Sequence, residues 1–348
     1  MFLRLVDSIR SANPRIQFFC VGDDWQAING FAGSDLRYFR NFTKYFQNAS
    51  QLHIRTNYRS PRLIVDVGNA VMNGLSLAAE SKRTDTGLIW LCKLNNLKIT
   101  AAEQAIHKGD EITPGILRLV RYFLKRGQDV VILSRRKGIP WYINYNDNAY
   151  EVTDALTRFL EHIRSNLPEE DRKRVTISTA HGYKGLEESA VIMVDAVDRS
   201  YPLVHPAWAF LRVFGDSIDR IVDEERRLFY VAITRAKQSL ALVTESNIES
   251  PYLGNIHQVV HIESLSWEKL TPVPSLDSPR IEVRVLNAYG VKDQLKDRGY
   301  RYNPHGKYWQ KAVMVGDFSL DELLRQAWTK GNVKIEVYNE EGQLLHRR

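Results

Sequence analysis

Residues 175–195, VTISTAHGYKGLEESAVIMVD, contain two short apolar runs joined by a polar loop that carries glycines. The runs are Val175 to Ser178 and Ala190 to Asp195, and both contain the Val and Ile residues that favour strands. The second run is apolar almost throughout, which is typical of a strand covered by helices on both faces. This stretch therefore predicts part of an α/β domain with a parallel sheet.

Similar runs recur along the chain and alternate with helical patterns. Further strands are predicted at Ile16 to Val21, Leu52 to Arg55, Leu88 to Lys93, Val130 to Leu133 and Leu240 to Thr244. Ser60-Pro61 and Thr113-Pro114 each predict a helix start, with an N-cap residue followed by a first-turn proline. Apolar residues at helical spacing predict a third helix over 156–167. The alternation indicates a parallel sheet covered by helices.

Composition narrows the class of protein. The 348 residues include 48 Lys or Arg and 41 Asp or Glu, a formal net charge of +7, and 44% are apolar. These values predict about two globular domains and exclude a disordered, collagen-like or coiled-coil chain. The two cysteines, Cys20 and Cys92, are too few for a disulfide framework or a four-ligand zinc site. Without an apolar leader or a membrane-length apolar run, we expect a cytoplasmic protein with no membrane partner.

The C-terminal fifth of the chain differs in character. Three prolines within residues 271–279 predict a semi-rigid linker, and residues 280–348 carry 13 Lys or Arg against 9 Asp or Glu. Short strand and helix patterns there predict a small basic α+β module. We expect four segments: the tail of a first domain at 1–48, a second domain at 49–262, a linker at 263–279 and the module at 280–348.

Cations alternate with aromatic residues between Arg298 and Lys311 in this module. Such a composition suits phosphate contacts combined with base stacking, which makes Lys307, Trp309 and Lys311 candidate DNA-binding residues. The alternative is a small sheet that buries Trp309 in its core and leaves the lysines in solvent.

Polar residues follow two of the predicted strands. Gly22-Asp23-Asp24-Trp25-Gln26 places two acids and an amide where ligands bind in an open α/β sheet, although a turn with a helix cap is the alternative. Thr56-Asn57-Tyr58-Arg59-Ser60 offers Arg59 as a phosphate clamp and Tyr58 as a flat face for a base. A solvated arginine beside a packed tyrosine explains that segment equally well.

A third constellation joins two distant segments. Residues 179–187, TAHGYKGLE, form a strand-to-helix loop whose backbone amides can meet phosphates. Residues 223–237, DEERRLFYVAITRAK, predict a helix with Arg235 near its C-terminal end. The helix dipole favours a cation at that end, so a structural charge is the alternative for Arg235.

In order and spacing, these segments resemble motifs III, IV, V and VI of UvrD/Rep-type superfamily 1 DNA helicases. The resemblance spans roughly Met1 to Glu245. It implies a RecA-like parallel sheet covered by helices, the second helicase domain of a P-loop NTPase type. It also implies ATP-dependent stepping from 3′ to 5′ along single-stranded DNA.

The resemblance also implies roles for individual residues. Gln26, Arg59 and Arg235 would act on the γ-phosphate, in the manner described for phosphoryl-transfer sites. Tyr58, Gly185 and Glu187 would bind the nucleotide. The residues facing single-stranded or forked DNA would be Phe31, Thr179 and His181.

The family's P-loop lysine and Walker B acids have no counterpart in this sequence. We therefore expect no metal site in this chain, and ATP with Mg²⁺ only together with a P-loop-containing N-terminal half. A half supplied in trans is one such arrangement. Alone, the polypeptide is predicted not to hydrolyse ATP. It is then a fragment of a helicase, one half of a split helicase, or a non-catalytic DNA-binding adaptor derived from one.

Overall fold

The computed structural model describes residues 2–30, 35–46, 48–75, 77–107, 112–137, 155–204, 217–272, 280–304, 306–314, 318–329, 331–339 and 342–348. The chain divides into two compact units, Met1–His53 and Ile54–Arg348. Each unit is described by itself below.

The first unit is built from short helices. They are α1 (Phe2–Ala12), α2 (Arg37–Arg40) and α3 (Phe42–Tyr45), and a single 3₁₀ turn covers Asp24–Gln26. The prediction of a strand at Ile16 to Val21 is wrong, because this segment has no regular secondary structure and pairs with no strand among the described residues. Phe19 within it is 94% exposed. An apolar run forms a sheet strand only where neighbouring strands accept and donate its backbone hydrogen bonds.

The second unit begins with a small parallel pair, β1 (Thr56–Asn57) and β2 (Glu80–Ser81). The strand predicted at Leu52 to Arg55 is therefore shifted and reduced to two residues. Helix α4 (Arg62–Val71) follows, with Pro61 at its N-cap. Ser60 was predicted to cap this helix, but its hydroxyl donates to the carbonyl of Ala236 at 2.9 Å instead.

A six-stranded parallel sheet forms the centre of this unit. Its strands are β3 (Leu88–Lys93), β4 (Val130–Ser134), β5 (Val175–Thr179), β6 (Glu188–Met193), β7 (Ala236–Thr244) and β8 (Glu263–Ser264). The spatial order is β5-β4-β6-β7-β3-β8, and every neighbouring pair is parallel. The predicted α/β fold with a helix-covered parallel sheet is confirmed.

Further helices described in this unit lie between the strands of the central sheet in sequence. They are α5 (Ala101–Ile106), α6 (Thr113–Lys125), α7 (Ala155–Ser165), α8 (Glu169–Arg172), α9 (Ile218–Ile233) and α10 (Pro251–His257). Apolar residues of α6 and α7, including Phe123 and Phe159, form one buried cluster with β4 and β7. The described helices include none with the length and apolar character needed to cross a membrane.

Residues 280–348 add an antiparallel sheet with its own core. Its strands are β9 (Arg280–Leu286), β10 (Arg301–Asn303), β11 (Tyr308–Met314), β12 (Lys334–Tyr338) and β13 (Leu344–Arg347), in the order β10-β11-β9-β12-β13. Two helices, α11 (Lys292–Asp297) and α12 (Leu320–Arg325), supply Leu295 and Leu323 to that core. Residues 273–279, the last part of the predicted linker, lie outside the described residues.

Candidate functional site

The amino ends of β6 and β7 hold two of the predicted nucleotide-site residues. Glu187 immediately precedes β6, and Arg235 immediately precedes β7. The two strands are adjacent and parallel, and the backbone N–H of Glu188 donates to the carbonyl of Arg235 at 3.0 Å. Two segments that are distant in sequence therefore meet at one edge of the sheet.

Arg59 completes this cluster from a turn that Asn57 fixes. The side-chain oxygen of Asn57 accepts from the backbone N–H groups of Arg59 and Ser60, both at 2.9 Å. The Arg59 Nε donates to Oε2 of Glu187 at 2.5 Å, and its Nη1 lies 3.5 Å from the carbonyl of Thr234. Both partners of this ion pair are partly exposed, so an incoming anion can reach the Arg59 guanidinium.

Arg235 is buried in the same cluster. Its Nε donates to the carbonyl of Val231 at 2.9 Å, and its Nη1 donates to the carbonyl of Leu186 at 3.1 Å. The first bond is what a cation at the end of α9 is expected to make, since the last carbonyls of a helix carry partial negative charge. The second bond ties Arg235 to the residue before Glu187. Arg235 therefore serves as the structural charge at the end of α9 and also lies in the candidate site.

Tyr58 and Gly185 lie at the open side of the cluster. The Tyr58 side chain is 73% exposed and is next to Arg59 in sequence, so its ring is accessible to a planar ligand. Gly185 has a φ of +87°, and a Cβ built on it would have no atom within 4 Å. Glycine is needed there for the backbone conformation, and the space beside it is open.

Arg83 is a site neighbour that the sequence analysis missed. Its Nη1 donates to the carbonyls of Arg59 at 2.9 Å and of Lys237 at 2.6 Å. Its Nε and Nη2 bind the carboxylate of Asp85 at 2.7 and 2.6 Å. An Arg-x-Asp pair shortly before a predicted strand is too common a pattern to have identified it.

Thr179 and His181 lie at the other end of the sheet strands. Thr179 ends β5, and its hydroxyl accepts from the backbone N–H of Gly182 at 3.0 Å. A Cβ on Gly182 would approach the Ser178 hydroxyl to 3.0 Å, so the turn is tightly packed. Residues 180–187 connect the carboxyl end of β5 to the amino end of β6. One short loop therefore spans from His181 to Glu187 across the length of a strand.

A buried polar network near this carboxyl end was also missed. Arg135, just after β4, pairs with Glu225 of α9 through two bonds of 2.8 and 2.5 Å. Asp195 is buried beside them and accepts from the backbone N–H of Arg135 at 2.7 Å. Burial raises the pKa of Asp195 to about 7. An acid at the end of the apolar run 190–195 was the sequence signal for it.

Gln26 belongs to the first unit. Asp23 caps the 3₁₀ turn by accepting from the backbone N–H of Trp25 at 3.0 Å, and Gln26 Nε2 donates to the same carboxylate at 2.5 Å. The helix-cap alternative is therefore present in the structure. Phe31 lies outside the described residues.

The C-terminal candidates occupy different environments. Lys307 is exposed in the turn before β11, whereas Trp309 is partly buried against the core of the small sheet. Lys311 donates to the carbonyl of Arg298 at 2.7 Å. Burial lowers the pKa of Lys311 to about 8, with further lowering by Arg172 and Arg298.

Metal ligation finds no support within the described ranges, which contain no group of three or more His, Cys, Asp or Glu side chains placed to hold an ion. The residues that fit a nucleotide are the cations Arg59 and Arg235 and the exposed ring of Tyr58. Mg²⁺ prefers carboxylate ligands, and the carboxylate of this cluster, Glu187, is paired with Arg59.

A comparison with known protein families shows which proteins this part of the sequence is similar to. Residues 136–247 match the UvrD-like helicase C-terminal domain. This part of the chain is therefore similar to UvrD-like helicase C-terminal domains. The matched region includes Thr179, His181, Glu187 and Arg235, while Arg59 and Arg83 lie before it.

Several DNA helicases are similar to this chain in sequence. A probable DNA helicase of Mycoplasma pneumoniae is 28% identical over 248 residues, 70% of this chain and 40% of the relative. ATP-dependent DNA helicase UvrD1 of Mycobacterium tuberculosis is 33% identical over 149 residues, 38% of this chain and 18% of the relative. DNA helicase IV of Escherichia coli is 25% identical over 255 residues, 72% of this chain and 32% of the relative. The chain thus spans less than half the length of these relatives.

A solved structure also resembles part of this chain. It is the C-terminal domain of a possible DNA helicase from Lactobacillus strain WCFS1, with 15% identity and a TM-score of 0.34. The alignment covers 60% of this chain and 98% of that domain.

Proposed function

We propose that this chain is the C-terminal portion of an ATP-dependent 3′–5′ DNA helicase, supplying arginines to the γ-phosphate and part of the single-stranded DNA groove. One observation carries the proposal: Arg59 pairs with Glu187 while Arg235 bonds the neighbouring Leu186 carbonyl. These bonds gather two cations, from segments far apart in sequence, beside an accessible tyrosine ring.

Each residue of the cluster has a distinct task at a nucleotide. Bound ATP, with Mg²⁺, would supply the phosphoanhydride bond whose hydrolysis drives movement along DNA. Arg59 and Arg235 stabilise negative charge on the γ-phosphate, and Tyr58 holds the adenine by stacking. Glu187 contacts the ribose. It also keeps Arg59 oriented until the γ-phosphate binds the Arg59 guanidinium. Gln26, from the first unit, senses the γ-phosphate.

The remaining catalytic groups come from a P-loop-containing N-terminal half. The exposed apolar residues of the first unit support such a partner, since Phe19 and Leu52 are 94% and 92% exposed. Both lie in segments with the sequence pattern of buried strands. Strands from that half would cover these side chains and pair with their backbone.

DNA binding is assigned to the carboxyl end of β5, where Thr179 and His181 face phosphates. The loop 180–187 supports a link between the two ligands, because it also carries Glu187 at the nucleotide side. The C-terminal module, with an excess of four positive charges, adds a second DNA contact at Lys307, Trp309 and Lys311.

Equilibrium binding of a fluorescent ATP analogue to the full chain, combined with a P-loop-containing N-terminal half, tests the nucleotide site. Arg59→Ala removes a charge-assisted contact and is expected to weaken binding about tenfold or more, and Tyr58→Ala about threefold to tenfold. Tyr289→Ala is the matched control, because Tyr289 is also largely exposed, at 83%, but lies in the C-terminal module. Absence of binding, or equal loss in the Tyr289 variant, would contradict the proposal.

DNA binding is tested separately with a labelled oligothymidylate. The double substitution Thr179→Ala with His181→Ala should weaken binding and reduce its salt dependence if these side chains contact phosphates. Unchanged affinity and salt slope in this variant would remove the groove from the proposal.

A further inference from the structure

Arg83 joins two segments of the nucleotide site that are far apart in sequence. One of its nitrogens, Nη1, donates to the carbonyl of Arg59 and to the carbonyl of Lys237, two residues beyond Arg235. A single guanidinium thus holds the backbone at both predicted γ-phosphate arginines.

Asp85 fixes the direction of that guanidinium. Its two oxygens accept from Nε and Nη2 of Arg83 at 2.7 and 2.6 Å. Because the guanidinium is planar and rigid, this bidentate pair leaves Nη1 pointing away from Asp85 and toward the two carbonyls. A lysine has one flexible nitrogen and cannot reproduce the whole set of bonds.

Two serines brace the same segments in parallel with Arg83. Ser81 donates to the carbonyl of Ser60 at 2.9 Å, and Ser60 donates to the carbonyl of Ala236 at 2.9 Å. The strand pair β1–β2 thereby connects, through residues 81–85, to the start of β7. With these bonds in place, the backbone of Arg59 cannot shift relative to Arg235 without breaking several of them.

We propose that Arg83 is a positioning residue of the nucleotide site, holding the Arg59 side chain against Glu187 and in register with Arg235. The inference rests on the proposed function in one respect, namely that Arg59 and Arg235 in this relative position stabilise charge on the γ-phosphate. The geometric part, that Arg83 determines the place of the Arg59 guanidinium, stands on this chain alone.

Arg174 provides a matched control on the same edge of the sheet. It precedes β5, pairs with Asp129 and Asp171 at 2.8 and 2.7 Å, and is 30% exposed, against 29% for Arg83. Its described side-chain bonds go to these acids and to no part of the nucleotide cluster. Loss of Arg174 therefore removes a comparable ion-pair network without touching the site.

The experiment measures the Arg59 side chain directly, using the Nε–H resonance of Arg59 in the full chain, assigned by its disappearance in Arg59→Lys. In the wild type, this hydrogen should exchange slowly because Glu187 accepts it. Arg83→Ala and Arg83→Lys are expected to make it exchange at least about fivefold faster, and Arg174→Ala to leave it unchanged. Amide exchange in β4 reports that the fold is intact.

Binding of the fluorescent ATP analogue is the second measurement. Arg83→Ala and Arg83→Lys should weaken it about fivefold to tenfold, and Arg174→Ala less than twofold. Wild-type-like Arg59 exchange in both Arg83 variants would overturn the inference. If the wild type binds no nucleotide, the proposed function fails, but the exchange measurement still decides whether Arg83 positions Arg59.

Discussion

In the unit Met1–His53, the segment from Ile16 to Val21 has no regular secondary structure, and Phe19 turns almost its whole surface to solvent. In the unit Ile54–Arg348, Val130–Ser134 has a similar apolar composition, yet every one of its residues is buried. Strand β4 lies between β5 and β6, with α6 and α7 in the same apolar cluster. The segment 16–21 has no strand beside it among the described residues.

The difference is one of neighbours and not of intrinsic preference. Strand propensity reflects how a side chain fits a pleated, covered surface, so it has effect only once that surface exists. Large exposed apolar side chains in a soluble unit mark a surface that another polypeptide segment covers. The first unit therefore contains strand-like sequence that has no neighbouring strand among the described residues. This favours the proposed P-loop-containing half as its partner.

The same substitution, Leu to Ala, made once in each unit, tests this difference most directly. Leu133→Ala, at a residue with no exposed surface, should lower the free energy of unfolding by about 2–5 kcal/mol, because it leaves a cavity between sheet and helices. Leu52→Ala, at a residue 92% exposed, should change it by less than about 0.5 kcal/mol. Urea denaturation followed by tryptophan fluorescence measures both.

Equal destabilisation by the two substitutions would show that Leu52 is buried in solution and that the units differ less than described. A sharper result is available once a P-loop-containing half is in hand. Leu52→Ala should then weaken association of the two parts while leaving the stability of the separate chain unchanged.

The same contrast explains what the sequence could predict. The strands at 88–93 and 130–133 were predicted within one residue, because their neighbours lie in the same chain. The segment 16–21 was predicted with equal reason and is not a strand, since pairing depends on partners that a local pattern does not contain.

The candidate site was predictable where a motif carries it. Arg59, Glu187 and Arg235 were identified through the resemblance to helicase motifs, and the structure brings them into one cluster. Arg83 was not, because its role depends on backbone carbonyls of residues far away in sequence. Asp195 was missed because an acid at the end of a strand gives no indication of whether it is solvated or buried.

The buried Asp195 gives a second test of how well the interior of the second unit is shielded from water. Its pKa is raised from an ordinary value near 3.8 to about 7 by burial. The folded state therefore favours the protonated acid, and stability is lost as the pH rises from about 4 to about 7 and is constant above. Asp195→Asn should remove this loss, so the variant gains roughly 2–3 kcal/mol relative to wild type between pH 5 and pH 8.

Chemical denaturation at several pH values measures this gain. Ser134→Ala is the control, because it removes a hydroxyl 3.4 Å from Asp195 but leaves the titrating carboxyl in place. Its stability should still fall as the pH rises, because the Ser134 hydrogen bond lowers the pKa of Asp195 and its loss leaves that pKa raised. A pH-independent difference between Asp195→Asn and wild type would show that Asp195 is hydrated and not buried as described.

The smallest expected effect concerns the first unit, where order comes from local bonds instead of sheet neighbours. Asp23→Ala removes both the cap on Trp25 and the acceptor of Gln26, so the Trp25 amide should exchange about fivefold faster, corresponding to about 1 kcal/mol. Asp23→Asn keeps an oxygen for the Trp25 amide and should preserve its protection. Because the asparagine nitrogen cannot accept from Gln26, this variant also releases the Gln26 side chain alone. If Trp25 protection survives Asp23→Ala, the turn is held by packing of the Trp25 ring, and the first unit has a more independent core than its exposed strand-like segments indicate.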